Sequence, residues 1–287
     1  MAYNVNDLAA YVENNKDIIL KDMVFGAEGG NTISMFTKEL GVKGTAKIHP
    51  ATIEAVLQEV KGACGFTPSG ELKISDVEVV TKQYKVNTEF CAEKLIGKFA
   101  EYKVRVGANE DALPFEAEIV EGLVKDINRQ IEKGVWGQVI ECTSADTTEK
   151  TSAYERVMEV YMGMPEETLE DGVIFVSPAT FREYVKELVD KNFYHYNPAD
   201  GALSEIFIPG SNVKVKKSIG CVNEGDDYIV GTSPKNLVYA TDFMGNNEEV
   251  KVWFSDDNDA YRVKVRFNFG ATVIFPDLVK ATVYARQ

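Results

Sequence analysis

The chain has 287 residues, with 31 Lys and Arg against 45 Asp and Glu, for a formal charge of −14. That balance excludes a general polyanion binder, which neutralises phosphates with clustered cations; the longest basic run here is the pair Lys216 and Lys217. At 45% hydrophobic and 26% charged residues the composition is that of a globular chain, able to bury a sizeable core as one large domain or two smaller ones.

Asn6 and Asp7 are candidate helix caps, and Leu8, Tyr11, Val12 and Ile19 share one helical face up to about Met23, where Gly26, Gly29 and Gly30 end the pattern. This predicts an N-terminal arm with a short amphipathic helix. From there to residue 96 the chain has strand character, and its dense turn signals are Gly62, Gly65, Pro68 and Gly70. One very long hairpin is predicted. Its return arm, about Glu71 to Phe90, carries β-branched Ile74, Val77, Val79, Val80, Thr81, Val86 and Thr88. Neither arm shows the clean alternation of a strand packed on its own core.

Pro114 opens the strongest helix, because Pro suits the first helical position and Phe115, Ile119, Leu123, Ile127 and Ile131 recur every four residues. Val120, Val124 and Trp136 widen the stripe. A helix over 114–136 would be about 34 Å long at ~1.5 Å per residue, a structural spine. After a polar linker at 143–152, Val173 to Val176 predict a buried strand, Ser177 an N-cap and Pro178 a helix start. Phe181, Tyr184, Val185, Leu188 and Val189 then form the apolar face of that helix. Short strands are expected at 213–217, 228–232 and 237–240. Tyr261, Val263, Val265, Phe267 and Phe269 alternate with Arg262, Lys264, Arg266 and Asn268, which predicts a half-exposed strand, and a last strand runs from Leu278 to Tyr284.

Catalytic, cofactor and metal signals are missing. The two histidines, His49 and His195, form no H-E-x-x-H pattern, and the phosphate-binding glycine loops are absent. The nearest approach to a nucleophile elbow, Pro209, Gly210, Ser211 and Asn212, is a plain turn. A calcium loop starting at Asp256 would need Gly at its sixth position and Glu at its twelfth, where Tyr261 and Phe267 stand. Asp256 to Asp259 are therefore expected in a solvated hairpin turn, and so are Glu224, Gly225, Asp226 and Asp227. Cys64, Cys91, Cys142 and Cys221 include no C-x-x-C pair and are expected as buried thiols of a reducing compartment. No apolar run reaches the ~18 residues of a membrane span, and Met1 to Asn4 do not begin a signal peptide, so a protein made and used in solution is expected.

Five segments carry a family resemblance. They are LGVKGTAKIHPATIEAVLQ and GACGFTPSGE in the hairpin, VNTEFCAEKLIGKF at its return, LPFEAEIVEGLVKDINRQIEKGVWGQ in the spine, and the run from NLVYATDF to FGATVIFPDLVKATVYA. In these, and in its order of parts, the chain resembles the major capsid proteins of tailed bacteriophages, which share the fold named for phage Hong Kong 97, and among them those of phages of gut bacteria. The resemblance implies an α+β capsid fold. It divides the chain into an N-terminal arm over 1–30, an extended hairpin loop over 31–96, a peripheral domain over 97–150 and 246–274 with the spine helix at 114–136, and an α/β axial domain over 151–245 and 275–287.

It also implies a structural protein and no enzyme, with no catalytic, cofactor or metal residues. Pentamers and hexamers, joined through arm and extended loop, would build an icosahedral shell around double-stranded DNA without sequence-specific binding. Portal, scaffolding and minor capsid proteins would be the further partners, no membrane would be involved, and the location would be a virion assembled in the host cytoplasm. Many members carry a helical N-terminal segment that is cut off; here the arm follows Met1 almost at once, so scaffolding is expected from a separate protein or is dispensable. The Lys to Asn cross-link of one branch needs a Lys near the loop tip, where Lys61 and Lys73 qualify by position only. A two-stranded ribbon is marginal alone in water, and identical copies in closed symmetry can supply the surface it needs. Two alternatives stay open: an encapsulin-type nanocompartment shell, to which the helix after Asn6 is compatible as a contributor to cargo-peptide binding, and a soluble enzyme with an unrecognised carboxylate site in the α/β region.

Overall fold

The computed structural model describes residues 7–25, 32–53, 55–57, 69–91, 115–193, 205–223, 225–242, 249–255 and 260–285. The predicted spine is α3, Phe115–Glu141, and its stripe is core: Val120, Ile127, Ile131, Val135, Trp136 and Val139 are all buried. The helix continues past residue 136 because Val139 and Ile140 extend the same stripe. Pro114 lies outside the described residues. The N-terminal pattern forms two helices, α1 Asp7–Asn14 and α2 Lys16–Phe25, rather than one. At the break, the Asn15 side-chain amide donates to the Tyr11 carbonyl at 2.9 Å, a local bond that competes with the helical ladder. Both helices pack on α3, where Asn128 Nδ2 donates to the Asp22 carbonyl at 2.7 Å.

These helices cover one face of a five-stranded sheet built around β15, Ala260–Val273. β6 Lys82–Cys91, β13 Leu237–Thr241 and β14 Glu249–Ser255 all run antiparallel to it, and β1 Thr37–Leu40 lies parallel to β13. The predicted alternation places Tyr261, Val263, Val265, Phe267 and Phe269 in the helix-facing core, but it fails at Asn268, expected on the exposed side and only 5% exposed. Leu237–Thr241, grouped by the sequence with the second region, is hydrogen-bonded into this first sheet. β6 is likewise a sheet strand, which changes the picture of the hairpin below.

A second sheet has the order β7 Ala145–Thr147, β16 Lys280–Tyr284, β12 Asp226–Thr232, β8 Val173–Val176, β10 Lys214–Lys217 and β9 Glu205–Phe207, with β11 Val222–Asn223 paired to β12. Four fully buried β8 residues and the apolar face of α5, Pro178–Asp190, realise the predicted strand and helix. Ser177 caps α5 by accepting from Thr180 N at 3.1 Å. Asp227, expected in a solvated turn, is instead 1% exposed and accepts from Thr180 Oγ1 at 2.9 Å, so a buried acceptor completes that cap. Asp256 to Asp259 and Glu224 lie outside the described residues. Of the expected buried thiols, Cys221 is buried and Cys142, at the end of α3, is exposed; Cys64 lies outside the described residues.

The helix α4, Ala153–Gly163, is tied to α5 through Glu187. That carboxylate accepts from Ser152 Oγ and, at 3.0 Å each, from the N–H groups of Ala153 and Tyr154. Partial burial opposes ionisation of Glu187, but these hydrogen bonds outweigh it and hold the carboxyl below its ordinary 4.5. A depressed folded-state pKa means the stabilisation is present above pH 4.5 and is lost as pH falls through the lower folded value. Glu187→Gln is therefore expected to lower the melting temperature at pH 7 and to converge on wild type in strong acid. Melting curves across that range check it, and a constant offset at all pH values would contradict it.

The two sheets meet at Trp136. Its ring lies 4.8 Å from that of Phe175 on β8 and 5.6 Å from Phe36, and a Cβ on Gly220 would come within 2.4 Å of it. Beneath sits a buried carboxylate, Glu132, which accepts from Thr32 Oγ1 at 2.7 Å and Ser218 Oγ at 2.8 Å. Thr32 Oγ1 in turn accepts from Trp136 Nε1 at 2.8 Å. Three remote segments are thereby locked together. Desolvation first, and then the charge of Glu132, push the nearby Cys221 thiol far above its ordinary range, which keeps it protonated and unreactive.

Candidate functional site

Four short strands stand apart from both sheets. β2 Thr45–Ile48 pairs antiparallel with β5 Val77–Val80, and β3 Ala51–Ile53 with β4 Leu72–Ile74. One register runs through both ladders, and Ser75 N donates to the Pro50 carbonyl at 3.1 Å between them. The predicted hairpin is thus present as a two-stranded ribbon. Its tip turn, with Gly62, Gly65, Pro68 and Lys61, lies outside the described residues.

Alternation along the strands gives the ribbon two different ends. At the base, Val79 is buried in a small cluster with Val42, Val238 and Ala240, against which Ala46 and Ile48 also pack. The backbone passes so close to β15 that a Cβ on Gly270 would lie 2.3 Å from the Val80 carbonyl oxygen. Gly270→Ala must therefore displace backbone. We expect a loss of about 1–3 kcal/mol, as for other overpacked sites, read as a lower denaturant midpoint; an unchanged midpoint would mean that the ribbon base does not rest there.

Beyond the base the described residues of the ribbon are mostly exposed. Cross-strand polar pairs mark the middle: an ion pair of Lys47 with Glu78 at 3.4 Å, and a hydrogen bond between His49 Nδ1 and Asp76 Oδ1 at 2.8 Å. Both are solvated, so they align the strands more than they stabilise them. In the outer ladder Ala51 stands opposite Ile74, and Ile53 opposite Leu72. These four share one face by register, and every residue of β3 and β4 is exposed. Ile53 is 74% exposed, Leu72 58% and Ile74 64%, and Val56 and Leu57 continue the apolar run. An apolar ladder face this exposed marks an interaction surface. Lys73 is exposed on the opposite side of this ladder, with Glu71 at 3.4 Å.

The return arm does have a core once it passes Thr81. Along β6, Tyr84, Val86, Thr88 and Phe90 are half-buried while Lys85, Asn87 and Glu89 are exposed. Tyr84 stacks on Phe269 at 4.3 Å, and its hydroxyl accepts from Gln138 Nε2 at 3.2 Å. The sequence carried this signal as a period of two, masked by the four polar residues Lys82, Gln83, Lys85 and Asn87. Among the described residues no group of three or more His, Cys, Asp or Glu could hold a metal, and no helix is long and apolar enough to cross a membrane. His195 lies outside them.

No family model and no curated protein matches the chain. Solved structures do. A chain of the satellite phage P4 procapsid, a structure that includes the size determination (Sid) protein, superposes with a TM-score of 0.60 at 11% identity over 96% of this chain and 95% of that one. The capsid of a native GTA particle gives 0.55 at 9% identity, covering 88% and 89% of the two chains. A virus-like particle from Pyrococcus furiosus gives 0.52 at 9% identity, covering 92% and 96%. All three are shells, and each match covers at least 88% of this chain, so the chain has an α+β capsid fold.

Proposed function

We propose that this protein is the major capsid protein of a tailed bacteriophage, resembling those of phages of gut bacteria, which assembles with itself as pentamers and hexamers into an icosahedral shell around double-stranded DNA. The single observation that carries this is the ribbon, whose outer face of Ala51, Ile53, Leu72 and Ile74 is apolar and exposed. Laid on a neighbouring copy, it buries that face, and in closed symmetry every subunit both gives and receives one. The shared fold with procapsid and capsid chains supports the same reading.

In this proposal residues 1–30 are the arm and 31–96 the extended loop. Residues 97–150 and 246–274 with the spine form the peripheral domain, and 151–245 and 275–287 the axial domain. The role is structural rather than enzymatic, portal and scaffolding proteins are its partners, and the virion is its location. A second reading, a nanocompartment shell, is favoured by the match to the virus-like particle from Pyrococcus furiosus. Particles isolated from the native source and treated with nuclease separate the two. Protected double-stranded DNA supports the phage shell; particles holding protein cargo and no DNA contradict it.

A further inference from the structure

Among the described residues the helices cover one face of the five-stranded sheet. On its other face the register sets Arg262 opposite Glu89 and Trp253, Lys264 opposite Asn87 and Lys251, and Arg266 opposite Lys85 and Glu249. Among the described residues five cationic positions thus meet two carboxylate positions on one face of a chain whose formal charge is −14, and Arg262 is paired with Glu89 at 3.1 Å. Along β15 successive cations stand about 6.8 Å apart, at ~3.4 Å per residue. A groove of about 350 Å³ runs here, lined by Lys85, Arg262, Lys264 and Arg266 and by the half-buried Trp253.

The complementary surface is on the same chain. After α4 a tight turn carries Glu166, Glu167, Glu170 and Asp171, all exposed. Asp171 is held by Lys235 at 2.8 Å. Just before the turn Met162 is 77% exposed, a flexible apolar side chain suited to an irregular groove.

We infer that the basic sheet face of one subunit receives the acidic turn at 166–171, with Met162, of a second copy. Arg, Trp and Met are residues enriched in protein interfaces, and the opposed charges set register and partner choice. Nucleic acid fits less well. A duplex presents negative charge without interruption, about one per 1.7 Å, and would bring phosphates against the exposed Glu89 beside Arg262. Because the two surfaces differ, the contact is heterologous, and a heterologous contact whose rotation closes builds a ring rather than a two-fold dimer. The inference rests on the self-assembly proposed above and names one of its contacts.

Charge reversal tests it in the full-length chain. The variants are Lys264→Glu with Arg266→Glu, and Glu167→Lys with Glu170→Lys; particle yield is measured by sedimentation at about 0.1 M salt, where screening acts over ~10 Å. Each pair alone should cut particle yield about tenfold, and an equimolar mixture of the two, or all four changes in one chain, should restore it. Melting curves establish that each variant is folded; if the first pair melts early, Lys264→Gln with Arg266→Gln replaces it and must still lower yield. Wild-type yield from both pairs overturns this contact and leaves self-assembly standing. Loss confined to the basic-face pair, together with loss of binding to a short DNA duplex, overturns it in favour of nucleic acid. Wild-type protein that never assembles overturns it together with the proposed function.

Discussion

Ile127→Asp should yield no soluble, cooperatively melting subunit. Ile127 is 3% exposed at the centre of α3, in the cluster shared by the N-terminal helices, the first sheet and part of the second. The substitution removes a buried side chain worth about 2–5 kcal/mol in truncation experiments. It also places a carboxylate among apolar neighbours, at a further cost of several kcal/mol whether it stays charged or takes up a proton. Typical folded chains have only about 5–15 kcal/mol in total. Ile127→Val, which keeps shape and loses one methylene, should cost about 0.5–1.5 kcal/mol and leave the fold intact. Soluble yield and circular-dichroism melting decide between these outcomes, and a normal melt for the Asp variant would mean that the stripe is not core.

The opposite pattern is expected for the ribbon: folding spared, assembly lost. Replacing residues 50–75 with a short Gly-Ser turn removes the outer ladder, in which every β3 and β4 residue is exposed. It leaves Val79 and Ile48 at the base, and Tyr84 against Phe269, untouched. A wider cut, from 46 to 85, would remove that base and the first residues of β6 as well. Few subunit contacts are lost, so the melting temperature should stay within a few degrees of wild type, a shift of about 1 kcal/mol or less. Closed particles should disappear, because the apolar face that joins copies is gone. Unfolding of this variant would make the ribbon part of the subunit core.

What could be read from sequence were the elements whose period matches their burial. The four-residue repeat through Ile127 and Ile131, the Ser177-Pro178 start of α5 and the alternation from Tyr261 to Phe269 each report a single face of one element, and each is built that way. Features made by remote partners were not legible. Glu132 looks like one more charge on the solvated side of the spine until Thr32 and Ser218 close over it. Val79 is buried only because Val238 and Ala240 arrive from the far end of the chain, and Asp227 only because Thr180 of α5 lies above it. At the candidate site the hairpin was legible, but its apolar face was not, because that face exists only in the pairing of Ala51 with Ile74 and Ile53 with Leu72. The basic sheet face was half-legible in Arg262, Lys264 and Arg266; Lys85 and Lys251 join it through strand register alone.

Electron microscopy of the purified full-length chain, with analytical ultracentrifugation of the same sample, tests the central claim most directly. A shell subunit should give closed particles, or rings of five and six subunits that close when salt or crowding is raised. A homogeneous monomer of 31.9 kDa under all those conditions, with the ribbon intact, would contradict it.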